Sequence, residues 1–295
     1  MTNSSNESQP GASESLSIQP SPLPSGADVI PTRLSGPFAL QRPFPPVMNA
    51  YGNYEFSVAM LKTYKICCGN DKKDVVFTVE VHTGIVPRSP LGTRPGLILH
   101  SGPSHKEKGT VLAAAGAESM SSWQYLAFNP RSVIMLPPIY ARREATSHDM
   151  TTEIMRGVKV DGSGIGFAIS LIVVGPEPER KPRHEEFLWR KNKDGYELMR
   201  LLLPTPGEEN NYRRETSETV AMLKWPNSML GSFTKAFSLE LKGSALSGAL
   251  GERCVLMIVV TACRILMLRQ VGKTTEAYVT VGDKTHRKEA NRHDR

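Results

Sequence analysis

The sequence GSALSGALGERCVLMIVVTACRILMLRQ, residues 243–270, decides the fold of this chain. Between Arg253 and Arg264 it is apolar on nearly every helical face, and such a helix is either a membrane span or completely buried. This stretch covers only about 16 Å at a rise of ~1.5 Å per residue, whereas a bilayer core needs ~20 residues. A span would also place Arg264 in the hydrocarbon. The sequence therefore predicts a buried helix over about 251–270 and no transmembrane span.

Short apolar runs precede this helix, separated by Gly, Pro, Asn and Asp. The run from Tyr54 to Ile66 alternates apolar with polar residues and predicts a half-buried strand, and DVVFTVEVH (74–82) predicts its hairpin partner. Asp194-Gly195 is a hairpin signal between two later runs. The remaining predicted strands are 96–100, 110–115, 123–128, 131–136, 166–174, 185–190, 196–203, 218–225, 233–241 and a late one at 276–281. Many short strands with regular turns predict an antiparallel sandwich or barrel, so the fold is mainly β (α+β).

The two ends of the chain differ from this β-rich part. Residues 1–48 are rich in Ser and Pro and predict a disordered tail, and residues 283–295 predict a charged C-terminal tail. The ordered domain is then 49–282. The N-terminus lacks a secretory signal and the four cysteines lack C-x2-C spacing, which favours a reducing, cytoplasmic location, at most peripheral to a membrane.

Several segments carry a family resemblance. They are HEEFLWR (184–190), ETVAMLKWPNSMLGSFTKAFSLEL (218–241), GSALSGALGERCVLMIVVTACRI (243–265) and, upstream, PGLILHSGPSHKEKGTVLAAAG (95–116). These resemble fungal proteins of the tubby C-terminal-like superfamily, which also contains LURP-one-related proteins and phospholipid scramblases. The resemblance covers Tyr54 to Gln270 and implies a barrel of about twelve antiparallel strands with the C-terminal helix threading its centre. Some tubby-like relatives bind phosphoinositides. The chain departs from the family by continuing about 25 residues beyond the helix.

Motifs for catalysis or cofactor binding fail on inspection. GSGIG (162–166) lacks the third glycine of a dinucleotide loop and predicts a tight turn, and GKTT (272–275) has Met267 where a phosphate loop needs its first glycine. The histidines show no metal-ligand spacing, and His100 and His105 are expected to flank a turn rather than to share a metal. The sequence thus predicts no catalytic residue, no metal and no cofactor.

The remaining candidate site is electrostatic. PERKPRHEEFLWRKNKDG (178–195) surrounds the hairpin signal, and its candidate ligands for a lipid headgroup are Arg180, Lys181, Arg183, Arg190, Lys191 and Lys193. Each basic side chain near an anionic membrane contributes about 1 kcal/mol. Acidic residues interrupt the run, so a solvated strand-turn surface is the alternative. Phe187 and Trp189 alternate with polar residues and are expected in the core rather than as a stacking platform.

Three classes of function remain open. The first is a non-enzymatic binding or scaffold protein of unknown process that binds anionic membrane lipid through the basic hairpin. The second is a protein-interaction adaptor that uses RPFPP (42–46) or a barrel rim. The third is a scramblase-like or other enzyme, in which Cys67-Cys68 could carry a lipid anchor. A net charge of +7 is too small to predict nucleic-acid binding.

Overall fold

Twelve strands form a closed antiparallel barrel in the computed structural model. The structure describes residues 33–34, 36–54, 64–104, 111–118, 131–139, 149–174, 182–201, 217–226 and 235–280. The strands are β1 (Val47–Tyr54), β2 (Tyr64–Gly69), β3 (Val75–His82), β4 (Gly96–Ser101), β5 (Val111–Ala117), β6 (Arg131–Leu136), β7 (Thr151–Val160), β8 (Gly164–Val173), β9 (Arg183–Lys191), β10 (Gly195–Leu201), β11 (Ser217–Lys224) and β12 (Lys235–Leu241). Each strand pairs with the next in the chain, and β1 pairs with β12 to close the barrel. The predicted mainly β barrel is confirmed.

Alternating strand direction gives the barrel two distinct rims. The rim at which β12 ends, at Leu241, is called the lower rim. The rim at which β11 ends, at Lys224, is called the upper rim. Odd-numbered strands begin at the lower rim and even-numbered strands begin at the upper rim, because all neighbours are antiparallel. A residue's position along its strand therefore assigns it to one rim.

The core combines strand residues with one long helix. After a short helix, α1 (Gly243–Leu246), the chain forms α2 (Gly251–Gln270), in which every residue from Cys254 to Leu268 is buried. All twelve strands contribute side chains to the same core cluster as α2. Trp189 of β9 donates a hydrogen bond from Nε1 to Thr261 Oγ1 of α2 at 3.0 Å. The predicted helix over 251–270 is confirmed, and no helix in the described ranges is long and apolar enough to cross a membrane.

Two predicted strands are wrong. The alternating run from Tyr54 to Ile66 is not one strand, because Tyr54 ends β1, Tyr64 begins β2, and the two residues pair side by side. A period-two pattern continues through a chain reversal without marking it, which explains the error. The late strand at 276–281 is also wrong, since residues 276–280 are helical and the adjacent Tyr278 and Val279 are both buried.

The end of the predicted disordered tail belongs to the fold. Residues 36–46, which we call the strap, begin with a 3-10 turn at Gly36–Phe38 and lead into β1 at the lower rim. Phe38 is buried, and the ring of Phe44 stacks on Phe77 at a centroid distance of 4.9 Å. Phenylalanines among the prolines supply apolar surface that the composition of the whole tail conceals, so the boundary lies earlier than residue 48. Residues 1–32 and 281–295 lie outside the described residues.

Candidate functional site

The basic hairpin that the sequence indicated is formed by β9 and β10. Lys191 pairs with Tyr196, and residues 192–194 make the turn between the strands. The side chain of Asn192 fixes this turn, because its Oδ1 accepts hydrogen bonds from the backbone N–H groups of Asp194 (3.0 Å) and Gly195 (2.8 Å). The predicted Asp194-Gly195 hairpin is confirmed.

The structure separates the described candidates for headgroup ligands. Arg183 begins β9 at the lower rim, whereas Lys191 ends β9 at the upper rim. A strand rises about 3.3 Å per residue, so the two residues stand roughly 26 Å apart. A single lipid headgroup cannot contact both. Arg180 and Lys181 lie outside the described residues.

Arg183 is engaged in an ion-pair cluster at the lower rim. It pairs with Glu185, which also pairs with Arg200 of β10. Arg200 Nη1 in turn lies 3.3 Å from Glu218 Oε2. Glu218 accepts hydrogen bonds from the backbone N–H (2.6 Å) and the hydroxyl (2.7 Å) of Ser244, at the start of α1. This cluster ties β9, β10 and β11 to α1, and its positive charges are balanced by two carboxylates.

Arg190 is also balanced by a carboxylate. Its Nε and Nη2 both donate to Glu197 Oε1 on the neighbouring strand, at 2.8 Å and 2.6 Å. The pair lies on the outer wall of the barrel, because the flanking Trp189 points into the core. Two of the four described candidates, Arg183 and Arg190, are therefore already paired with carboxylates of the protein.

Lys191 and Lys193 remain available at the upper rim. Both are exposed, and no carboxylate in the described part of the chain forms an ion pair with either. Lys224 ends β11 opposite Gly195, one strand beyond the turn and about 10 Å from Lys191. It lies 3.2 Å from Glu240.

Trp225 joins this hairpin to the end of α2. Its backbone N–H donates to the Asp194 carbonyl at 2.9 Å, and the guanidinium of Arg269 lies 4.3 Å from the centroid of its ring. Arg269 is exposed in the last turn of the helix. We call Lys191, Lys193, Lys224 and Arg269 the upper-rim patch. Lys224 and Arg269 are distant from the hairpin in sequence, so sequence reasoning missed them.

A further cationic site follows the helix. Burial, together with the nearby guanidinium of Arg264, lowers the pKa of Lys273 to about 8. Arg264 is itself buried, and its Nε donates to Ser132 Oγ of β6 at 3.0 Å. Two cationic groups thus lie close together where the chain leaves α2.

The aromatic residues of β9 belong to the core. Phe187 and Trp189 are fully buried, as the alternation predicted. Their indole and phenyl faces pack against the cluster that contains α2 and do not form a surface for stacking bases or headgroups.

The histidine and cysteine candidates lie inside strands. His100 lies near the end of β4, where the sequence predicted a strand before a turn, and its Nε2 is 3.5 Å from Glu80 Oε2, while His105 lies outside the described residues. Cys67 and Cys68 are part of β2, and Cys68 is fully buried. Contact with the thiol of Cys263 and burial raise the pKa of the Cys68 thiol. Within the described ranges no group of three or more metal-ligating side chains could hold an ion.

The strap contains the RPFPP motif, and the side chains of this motif contact the barrel. Arg42 forms a two-pronged pair with Asp74, and Phe44 stacks on Phe77. Earlier in the chain, the Leu34 backbone N–H donates to Glu252 Oε2 at 2.7 Å, in the first turn of α2. The motif is thus packed on its own domain.

Comparison of the chain with protein-family models, with curated proteins and with solved structures found no match.

Proposed function

We propose that this chain is a non-enzymatic binding protein that docks the upper rim of its barrel on anionic membrane lipid. The observation that carries the proposal is the pair Lys191 and Lys193, two exposed cations at the end of β9 and in the fixed turn that follows it, with no described carboxylate paired to them. Arg269 extends the same surface, as does Lys224, whose ammonium group is paired with Glu240. Clustered cations at one end of a domain attract an anionic bilayer by about 1 kcal/mol each.

We infer that α2 occupies the interior of the barrel, which is the reason to propose binding rather than catalysis. Support comes from the burial of every helix residue between Cys254 and Leu268 and from the core cluster that α2 shares with all twelve strands. The hollow lined by Phe44, Pro45 and Met48 has no room for even a water molecule, so it is not a ligand pocket. A barrel filled by its own helix presents its rims and outer wall to partners.

Membership of the tubby C-terminal-like superfamily is part of the same proposal. The closed barrel of twelve strands followed by a 20-residue apolar helix is the architecture that such membership requires, and this supports it. The corresponding location is peripheral, at the cytoplasmic face of a membrane. The adaptor alternative loses its most specific motif, because Arg42 and Phe44 of RPFPP already contact Asp74 and Phe77.

Flotation of the full chain with liposomes tests the proposal. Vesicles carry graded fractions of phosphatidylserine or a phosphoinositide, and binding is measured at 0.1 M and 1 M salt. We expect binding that rises with anionic lipid and falls at high salt, because the screening length shortens from about 10 Å to about 3 Å. Binding that is independent of lipid charge, or unchanged by salt, contradicts the proposal.

A pair of charge-matched variants assigns the surface. Lys191→Glu with Lys193→Glu changes the upper rim, and Lys72→Glu with Lys73→Glu makes the same charge change at an exposed lower-rim turn. The first variant should bind at least about 30-fold more weakly, since two cations contribute about 2 kcal/mol and their reversal adds repulsion. The second should stay within about twofold. Equal losses in both variants would show that net charge alone, and not the upper rim, attracts the protein.

A further inference from the structure

The loop between β3 and β4, residues 83–95, leaves the barrel at the upper rim. Its Ile85 and Val86 are 60% and 63% exposed, the highest values among the large apolar side chains that the structure describes. Single exposed apolar residues are common on protein surfaces, but two adjacent ones at a loop tip form a small apolar projection. We call this pair the apolar tip.

The backbone that carries the apolar tip is fixed from several sides. His82 donates from Nε2 to the Gly92 carbonyl at 2.8 Å, and Arg88 and Gly92 exchange two backbone hydrogen bonds of 3.0 Å and 2.6 Å. Leu91 is fully buried against the outer wall of the barrel. Arg88 also reaches the buried carboxylate of Glu80 at 3.0 Å. These contacts hold the loop, and with it the apolar tip, in a fixed position.

Gly84 fixes the backbone turn that leaves the apolar tip exposed. Its φ is +82°, and a Cβ on this residue would lie 2.5 Å from the Thr93 carbonyl oxygen. The turn before the tip thus requires glycine, both for its left-handed backbone and for lack of space. With the chain fixed on either side, Ile85 and Val86 cannot fold back onto the barrel, and their burial needs a second surface.

We propose that Ile85 and Val86 enter the bilayer when the upper rim docks on anionic lipid, an inference that rests on the function proposed above. The charge on this rim selects a membrane over an apolar groove of a protein: Arg94 lies on the same loop, and the upper-rim patch stands on the same rim. Interfacial segments of this kind bury apolar side chains about 5–10 Å into the boundary between headgroups and acyl chains while basic residues contact the phosphates.

The topology gives the tip a second role in orientation. β3 and β9 are separated by six steps around the twelve-stranded barrel, so the apolar tip and the hairpin turn stand on opposite sides of the upper rim. Two supports on opposite sides hold the barrel axis steeply to the membrane plane. One support would leave the tilt free.

An environment-sensitive fluorophore tests insertion directly. The full chain carries Cys67→Ser, which removes the half-buried cysteine and leaves three buried ones, and Ile85→Cys then provides one accessible labelling site. The matched control is Leu246→Cys, 52% exposed on the lower rim. With vesicles containing phosphatidylserine, we expect blue-shifted emission and quenching by brominated lipid at position 85 and neither at position 246.

Affinity provides the second readout. Ile85→Asn with Val86→Asn should weaken vesicle binding at least about tenfold, because two apolar side chains lose their transfer from water, whereas Leu246→Asn should leave it unchanged. Both substitutions are at exposed positions, and an unchanged melting temperature establishes that the fold is intact.

The outcomes separate the two proposals. Salt-sensitive binding with an unaltered probe at position 85 and full affinity of the tip variant overturns insertion and leaves the electrostatic docking in place; the tip would then serve a protein partner. Equal shifts at positions 85 and 246 also overturn insertion by the tip. If the parent protein does not bind anionic vesicles, the proposed function is overturned, and insertion with it.

Discussion

The hydrogen bond between Trp189 and Thr261 offers a sharp test of how the helix meets the barrel wall. Both side chains are fully buried, and Nε1 of Trp189 lies 3.0 Å from Thr261 Oγ1. The same hydroxyl donates back to the carbonyl of Met257, 2.7 Å away in the preceding turn of α2. Thr261→Val keeps the shape of the side chain and removes the acceptor, so the indole N–H is left unsatisfied in an apolar core.

The expected cost follows from that geometry. A buried donor without a partner costs about 1–3 kcal/mol, so the free energy of unfolding should fall by about 2 kcal/mol in Thr261→Val. Thr261→Ser keeps the hydroxyl and removes one methyl group, which should cost about 1 kcal/mol. The measurement is urea denaturation followed by tryptophan fluorescence and circular dichroism.

A double-mutant cycle isolates the hydrogen bond from packing. Trp189→Phe removes the donor, and in that background Thr261→Val should cost much less than in the parent, with a coupling of about 1 kcal/mol. The reasoning is refuted if Thr261→Val costs less than about 0.5 kcal/mol, or if its cost is the same in both backgrounds. Either result would mean that α2 does not contact β9 in this register.

Two further predictions concern the strap and the pH dependence of docking. Phe44→Ala should lower the free energy of unfolding by about 2 kcal/mol, because a half-buried ring stacked on Phe77 is lost, and should speed proteolytic cleavage within residues 36–46; Phe44→Leu is the control, and equal cleavage of both variants would contradict the packing. Vesicle binding should weaken as the pH rises through about 8, because Lys273, whose pKa burial and Arg264 lower to about 8, then loses its positive charge. Lys273→Met should remove this step, and Lys273→Arg should keep binding constant to pH 9. If the methionine variant still loses binding near pH 8 as the parent protein does, the assignment to Lys273 is wrong.

The helix and the barrel class could be predicted because each leaves a local signal. A stretch that is apolar on every face must be buried all round, and α2 contains the whole of that stretch. The strands alternate in burial along β9, with Glu185, Phe187 and Trp189 facing inward or covered. The reversal between β1 and β2 left no such signal, because the alternation continues on both sides of it.

The sequence predicted the kind of residue that forms the candidate site, but not which of these residues lie close together. The sequence prediction grouped Arg183 with Lys191, although the nine residues of β9 reach from one rim to the other. Lys224 and Arg269 could not be found from the sequence, because only the closure of the barrel brings the ends of β11 and α2 beside the hairpin turn. The strap was missed because Phe38 and Phe44 stand among prolines, and a composition average assigns the whole segment to disorder.

The distribution of ion pairs explains why the upper rim, and not the wall, is the surface to test. On the wall, neighbouring strands place opposite charges side by side, as in Arg190 with Glu197, and the lower rim does the same with Arg200 and Glu185. Such pairs neutralise the wall locally and leave little field at a distance. The turn that carries Lys193 has no neighbouring strand beyond it to supply a carboxylate. An exposed charge that the fold leaves unbalanced is felt by an approaching anionic surface, so lipid selectivity should follow changes in the rim loops and tolerate changes in the paired residues of the wall.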